Sequence, residues 1–124
     1  MNFVLATAPV RYWWPVEVDI PDPENPGRYR RQHLKMLFEA ESQDDALNRD
    51  EALALLETTR ERIEHERNRL LAVCKSWDDV IGDDKTPVPF TEENFLSALQ
   101  HSWFRTGVYR AYLDSISGRA ALGN

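Results

Sequence analysis

The chain has 124 residues and a formal net charge of −6, from 15 Lys and Arg against 21 Asp and Glu. This length predicts one domain covering residues 1–124. The acidic balance argues against nucleic acid as a main partner, because phosphate binding requires a basic face.

The single cysteine has no partner for an internal disulfide. Apolar runs are too short for a signal peptide or for a membrane span of ~18 residues. We therefore expect a cytoplasmic protein that does not bind membranes.

Residues 1–41 carry the alternating pattern of an antiparallel β-hairpin. The predicted strands lie near 10–20 and 28–40, with Trp14 and Phe38 on the buried face. A register that sets Trp14 opposite Met36 also pairs opposite charges on the outer face, which stabilises it. Pro15 has no amide to donate, so the first strand should be an edge strand or carry a bulge. Residues 1–9 are predicted to form either an added strand or a loose arm.

A long charged helix is predicted for residues 42–76. Its narrow apolar stripe contains Ala46, Leu53, Leu56, Ile63, Leu70, Val73 and Trp77. At 1.5 Å per residue it would be about 50 Å long, which exceeds a compact domain of this size. Two interpretations stay open. The helix is solvated and braced at its ends, or Leu56, Ile63 and Leu70 form a heptad seam with another copy in a homo-oligomer.

Residues 77–91 are predicted as a connector, because Gly82, neighbouring aspartates and Pro87 disfavour helix. Thr91 should cap the next helix, and Phe90 and Phe95 have the spacing of a hydrophobic staple across it. Trp77, Val80, Phe90 and Phe95 are therefore expected to come together. The pattern leaves open whether they pack as a small core or form an exposed docking site.

Residues 92–118 are predicted to be C-terminal helices with a second apolar stripe. A break is expected near 105–107, because Gly107 is a poor helix former. Gly118 should end the last helix as a C-terminal cap, and residues 119–124 should form a frayed tail. The expected fold class is α+β: a β-hairpin or small sheet packed with about three helices, one of them long and charged.

The sequence offers little catalytic or metal-binding chemistry. His33, His65 and His101 lie on different predicted elements, so they do not form a ligand cluster. Cys74 has Lys75 beside it, which would lower a thiol pKa, but its place on an apolar stripe favours core packing. The aspartates of the connector lack the spacing of a calcium loop. We expect no enzyme, cofactor or metal.

Several segments resemble the tail assembly chaperones of long-tailed bacteriophages and prophages. They are Trp77 with its acidic turn, Pro87-Val88-Pro89-Phe90-Thr91 before a Glu-rich helix, Tyr12-Trp13-Trp14-Pro15-Val16, Pro23-Glu24-Asn25-Pro26-Gly27, Ala111-Tyr112-Leu113 and Gly118-Arg119-Ala120. The resemblance implies a non-catalytic protein that binds the tape-measure protein and helps recruit tail-tube subunits in the host cytoplasm.

Aromatic and aliphatic side chains are the candidates for partner binding, because protein interfaces favour aromatic residues. The candidates are Trp13, Leu56, Ile63, Leu70, Trp77, Val80, Phe90 and Phe95. Two other functions remain open at this point. One is a structural tail component, such as a tube-end or connector subunit, that is retained in the virion. The other is a small enzyme, which the scarcity of catalytic groups in the sequence disfavours.

Overall fold

A computed structural model describes residues 1–120 of the chain. The strands are β1 (Arg11–Pro21), β2 (Tyr29–Glu39) and β3 (Cys74–Asp78), which form one antiparallel sheet in the order β1-β2-β3. The helices are α1 (Gln43–Ala54), α2 (Thr59–Val73), α3 (Glu92–Leu99) and α4 (Ser102–Ile116). This arrangement confirms the α+β class. None of the helices in the described part of the chain is long and apolar enough to cross a bilayer.

The β1–β2 hairpin has the predicted register. Trp14 lies opposite Met36 and Tyr12 opposite Phe38, which is fully buried. On the outer face, the Arg31 guanidinium donates to the Asp19 carboxylate at 2.9 Å. β1 is an edge strand, as Pro15 indicated. Residues 1–10 lie before β1, form no strand and are exposed throughout; we call them the N-terminal arm.

The prediction of one helix over residues 42–76 is wrong, because the chain leaves the helix after Ala54. Thr58 begins α2 as its N-cap. Its hydroxyl accepts a hydrogen bond from the Glu61 amide (3.1 Å) and donates one to the Glu61 carboxylate (2.9 Å). Ser or Thr followed three residues later by Glu is a known start signal for helices. Because α2 has its own N-cap, the chain forms two helices here instead of one. Leu56 lies outside both helices, so the predicted heptad seam does not form.

The last part of the predicted long helix is instead the third strand. Cys74 pairs with Phe38 and Trp77 pairs with Met36, so the register slips by one residue between them in a β-bulge. The bulge turns both Cys74 and Trp77 toward the core. In the sequence, Cys74 follows Leu70 at helical spacing, and Trp77 follows Val73 in the same way. The strand therefore has the apolar pattern of a helix, which explains why the sequence predicted helix here.

The connector folds into a small ordered hairpin. The Val88 amide donates to the Val80 carbonyl at 2.9 Å, and the Trp77 indole N–H donates to the Val88 carbonyl at 2.8 Å. The ring of Trp77 lies 5.1 Å from Phe90 and 6.1 Å from Phe95, measured between centroids. Trp77, Phe90 and Phe95 therefore form the expected aromatic cluster, and Val80 packs against the same core.

The two C-terminal helices begin and end differently from the prediction. Thr91 caps α3, accepting from the Asn94 amide at 3.1 Å, as expected. The break lies at Gln100 and His101, so the predicted break near 105–107 is wrong. Gly107 is inside α4 and buried. A Cβ there would lie 2.5 Å from the Glu17 carbonyl oxygen, so the glycine allows α4 to approach β1 closely.

The end of α4 follows the predicted glycine cap. Gly118 has a φ of +76°, and the Arg119 amide donates to the Asp114 carbonyl at 3.2 Å. This left-handed glycine after the last turn is a Schellman-type ending. Arg119 and Ala120 form no regular structure, and the rest of the predicted tail, 121–124, lies outside the described residues.

One core joins the inner face of the sheet to the helices. Its buried members come from all three strands, the end of α2, α3 and α4; they are Val16, Val18, Leu34, Met36, Phe38, Leu70, Val73, Cys74, Trp77, Phe95, Leu99, Val108, Ala111 and Tyr112. No side chain of α1 belongs to it. The sheet, the end of α2, α3 and α4 therefore form a packed body, whereas α1 lies outside its core.

Candidate binding surfaces

Reactive side chains are few in this protein. Burial raises the pKa of the Cys74 thiol, and the opposing effect of Lys75 is smaller. A buried thiol with a raised pKa is a poor nucleophile. Within residues 1–120, no group of three or more His, Cys, Asp or Glu side chains is placed to hold a metal ion. The features with functional potential in these residues are a polar cluster and three apolar surfaces.

The polar cluster is centred on Glu41, between β2 and α1. Its carboxylate accepts a hydrogen bond from Arg69 of α2 at 2.7 Å and forms an ion pair with Arg49 of α1. Arg69 also donates to the Tyr109 hydroxyl at 2.7 Å, while the Tyr112 hydroxyl accepts from the Glu41 amide at 3.1 Å. Burial raises the pKa of Tyr112, so this hydroxyl remains a neutral partner at neutral pH. The cluster attaches the helical hairpin to α4 through charges and hydroxyls.

The first apolar surface lies on the helical hairpin. We define the helical-hairpin surface by its exposed aliphatic side chains, which are Leu47, Leu53, Leu55 and Ile63. Leu55, in the turn between the helices, is 82% exposed. Exposed acidic side chains lie along the same segment: Asp44, Asp45, Asp50, Glu51 and Glu57. The only basic residue of α1 is Arg49, which is paired with Glu41. The α1 part of this surface therefore combines exposed aliphatic groups with negative charge, whereas Ile63 on α2 lies beside the exposed Arg60 and Arg62.

The second surface is an open groove below the turn end of the β1–β2 hairpin. We call it the hairpin-end groove; its volume is about 800 Å³. Its apolar lining comes from the sheet, the connector and the two C-terminal helices: Val18, Ile20, Leu34, Val80, Ile81, Ala98, Trp103 and Phe104. Trp103 stacks on His101 with ring centroids 5.2 Å apart. Ile81 at the rim is 59% exposed.

The third surface is the N-terminal arm. Phe3 is 89% exposed, and Val4 and Leu5 are each 81% exposed. The arm has no charged side chain. It has no contact in this monomer that would bury these groups, so it presents apolar side chains to water.

The structure separates the predicted partner-binding residues by burial. Trp13, on the outer face of the sheet, is 50% exposed, and Ile63 is 40% exposed. Leu56, Val80 and Phe90 are half-buried. A further three are in the core, where a partner reaches them only if the fold opens: Leu70, Trp77 and Phe95.

Sequence reasoning missed several exposed members of these surfaces. Leu47 and Leu55 lay off the apolar stripe of the predicted long helix, so they were not considered. Ile81 lies in the segment predicted as a connector, and Trp103 lies in the predicted C-terminal helices. For Leu47 and Leu55, the position off the apolar stripe is the signal that could have identified them, because such a residue has no place in the core.

No protein-family model matches this sequence, and no curated protein or solved structure matches it either. The functional interpretation therefore depends on the surfaces described above and on the segments that resemble phage tail assembly chaperones.

Proposed function

We propose that this chain is a tail assembly chaperone of a long-tailed bacteriophage or prophage. In this role it binds the tape-measure protein without catalysis and helps recruit tail-tube subunits in the cytoplasm of the bacterial host. One structural observation carries the proposal: α1 buries no side chain, yet the hairpin that contains it exposes four large aliphatic residues. A stable body with an unburied aliphatic helix is what a protein needs if it covers apolar segments of another chain.

The helical-hairpin surface also indicates the chemistry of the bound segment. Its aliphatic groups match the apolar stripe of an amphipathic helix, which binds by laying that stripe against another apolar surface. The exposed acidic residues along α1 favour a segment with Lys or Arg beside its stripe. Two copies of this acidic surface would repel each other, which favours a different chain as the partner.

Reversible binding follows from the same features. A tape-measure protein must be released when tube subunits assemble around it. The contact between it and its chaperone therefore cannot be a large obligate interface. A small surface carried on one hairpin suits such transient contact. Trp13 and Ile63 remain predicted contacts because both are accessible.

Co-expression with the tape-measure protein of the same genome tests the proposal. Leu55→Asp places a charge on the helical-hairpin surface at a position that is 82% exposed, so folding should be unaffected. We expect co-purification of the tape-measure protein to fall at least roughly tenfold, as for loss of an interface anchor. Leu113→Asp, at an exposed aliphatic residue of α4, is the matched control and should retain binding.

Three results would contradict the proposal. The tape-measure protein could fail to co-purify with the unmodified chain, or it could bind Leu55→Asp equally well. The third is the presence of this chain in purified virions. That third result would support the alternative of a structural tail component, such as a tube-end or connector subunit.

A further inference from the structure

We propose that the hairpin-end groove binds an extended peptide segment of another protein, which adds a strand to the open edge of β2. In this segment, apolar side chains that enter the groove alternate with acidic side chains that face outward. The site uses neither α1 nor the helical-hairpin surface, so it goes beyond the proposed chaperone role, and either proposal can fail without the other.

The groove contacts β2 along the edge of the strand. Four consecutive residues of β2 line it, from Arg31 to Leu34. Consecutive side chains of a strand point to opposite faces, so a cavity that touches all four lies beside the strand. By contrast, β1 contributes Val18 and Ile20, which share one face of the sheet.

This edge is open because β3 is shorter than β2. β1 pairs with the whole of β2, whereas the pairing of β3 with β2 begins at Lys35 and Asp78. In residues 1–120, no backbone hydrogen bond joins residues 31–33 to the connector or to the C-terminal helices. These three residues are exposed, so the backbone groups that they direct away from β1 are available to an added strand. The open stretch lies between β3 and the hairpin turn, and it suits one short strand rather than continued growth of the sheet.

The inner wall of the groove selects apolar side chains. Ile81 at its rim is 59% exposed, and Trp103 is 36% exposed. A strand added beside β2 directs every second side chain toward this wall. Apolar groups at those positions would remove both rim residues from water, which favours binding. The deeper wall is Leu34, Val80, Ala98 and Phe104.

The outer side of the same edge favours acidic side chains. The neighbours of an added strand on that face are Arg31 and His33, and neither is acidic. The carboxylates that now pair with Arg31 lie on β1, with Asp19 at 2.9 Å and Glu17 at 3.2 Å. A guanidinium has five N–H donors, so Arg31 can also bind a carboxylate from the open side. Opposite charges on adjacent strands stabilise their pairing.

The N-terminal arm of the same chain is too short to supply this strand. It reaches Leu34 at the near end of the groove, but His33 lies opposite Glu17, about 24 Å along the sheet from residue 10. The chain from residue 10 back to Phe3 spans at most about 25 Å, and it must also cross the width of the hairpin. At most Met1 and Asn2 remain to pair beside residues 31–33, which is fewer than the roughly three residues of the shortest usual strands.

Calorimetric titration of the full chain with an acetylated heptapeptide of alternating valine and glutamate tests the site. Alternate amides of an added strand face β2, so N-methylation of the valine amides and of the glutamate amides should have unequal effects. One of the two methylated peptides should bind at least roughly tenfold more weakly, because it loses its hydrogen bonds to β2, and the other should bind unchanged. A peptide of alternating valine and lysine should bind at least roughly tenfold more weakly than the glutamate peptide.

Hydrogen exchange and two variants locate the bound peptide. Saturation with the peptide should slow exchange of at least one backbone amide among residues 31–33 at least roughly tenfold. Ile81→Asp, at the exposed rim, should weaken binding at least roughly tenfold. Leu55→Asp is the matched control, because it places the same charge on the helical-hairpin surface and should leave peptide binding unchanged.

The proposal is overturned if the glutamate peptide does not bind, if the two methylated peptides are affected equally, or if residues 31–33 are not protected. It is also overturned by two results that assign the groove to another occupant. Peptide binding that strengthens at least roughly tenfold when residues 1–9 are deleted would show that the chain's own arm fills the groove. Self-association of the full chain that the peptide reverses would assign the groove to a second copy.

Discussion

α1 and α4 contrast a helix that exposes its apolar side chains with a helix that buries them. Both begin at a break in the chain and both carry apolar side chains among charged ones. α4 buries Gly107, Val108, Ala111 and Tyr112 against the sheet, whereas α1 buries none of its side chains. The difference lies in the partner surface, because most helical stability in proteins comes from packing an apolar face. Burial separates a packed body, which includes the end of α2, from an exposed region made of α1, the turn after it, the start of α2 and the N-terminal arm.

The largest contrast between the two regions is expected for the same substitution at two leucines. Leu70→Ala removes a fully buried side chain at the end of α2, and should lower the free energy of unfolding by about 2–5 kcal/mol. Leu55→Ala, at an 82% exposed position, should change it by less than about 0.5 kcal/mol. Chemical denaturation of both variants measures the difference. Equal losses would mean that the helical hairpin is packed in solution.

A similar contrast is expected for two phenylalanines. Phe90 is half-buried, with its ring centroid 5.1 Å from Trp77 and 5.2 Å from Phe95. A fully buried phenylalanine typically costs 3–5 kcal/mol when replaced by alanine, so Phe90→Ala should cost about 2 kcal/mol. Phe3→Ala in the exposed arm should leave the thermal unfolding of the monomer unchanged. If Phe90→Ala also has no effect, the connector does not stabilise the body.

A smaller effect is expected where α4 meets β1. In Gly107→Ala the new methyl group would lie 2.5 Å from the Glu17 carbonyl oxygen, so the helix must move. Overpacking typically costs 1–3 kcal/mol, and the better helix propensity of alanine returns up to about 1 kcal/mol. We expect a net loss of about 1–2 kcal/mol by denaturant titration. Thr106→Ala, at the exposed neighbour, is the control and should not destabilise. A stabilised Gly107→Ala variant would show that the close approach is absent.

The smallest effect is expected on the outer face of the sheet. A hydrogen bond from Arg31 lowers the pKa of the Asp19 carboxyl. The group therefore contributes stability above its unfolded-state pKa of about 3.9, and loses it as pH falls through the lower folded value. In Arg31→Gln the pKa of Asp19 should rise toward its ordinary value when followed by NMR titration. Arg28→Gln serves as the control, and an unchanged Asp19 pKa in Arg31→Gln would contradict the pairing.

The hairpin could be predicted in detail because its information is local and redundant. A shift of one residue would set charges against the apolar face. A shift of two would keep the apolar face but lose charge pairs on the outer face, and the observed register keeps both. The start of α2 is equally local, because Thr58 and Glu61 have the spacing of a capping box, but the continuous apolar stripe hides this start. Periodicity spanning α1, α2 and the start of β3 was mistaken for one element.

β3 and the candidate contacts were harder for physical reasons. Because of the bulge, Cys74 and Trp77 face the core together although their spacing in the sequence is that of a helix. Only the pairing with β2 shows that this segment is a strand. An apolar stripe identifies side chains that must be covered, but not whether the same chain covers them. Leu70 is covered internally, while Ile63 remains exposed. The break after α3 had no glycine or proline to mark it.

The two edges of the sheet affect how this protein can aggregate. Strand-to-strand growth, the step that builds cross-β fibrils, requires a regular edge with free amides. β1 has Pro15 at its centre and α4 packed against it, while β3 has five residues and a bulge. Both edges therefore resist the addition of another strand. Assemblies of this chain should keep their native infrared and circular dichroism spectra, and should not bind amyloid dyes even at concentrations that favour association.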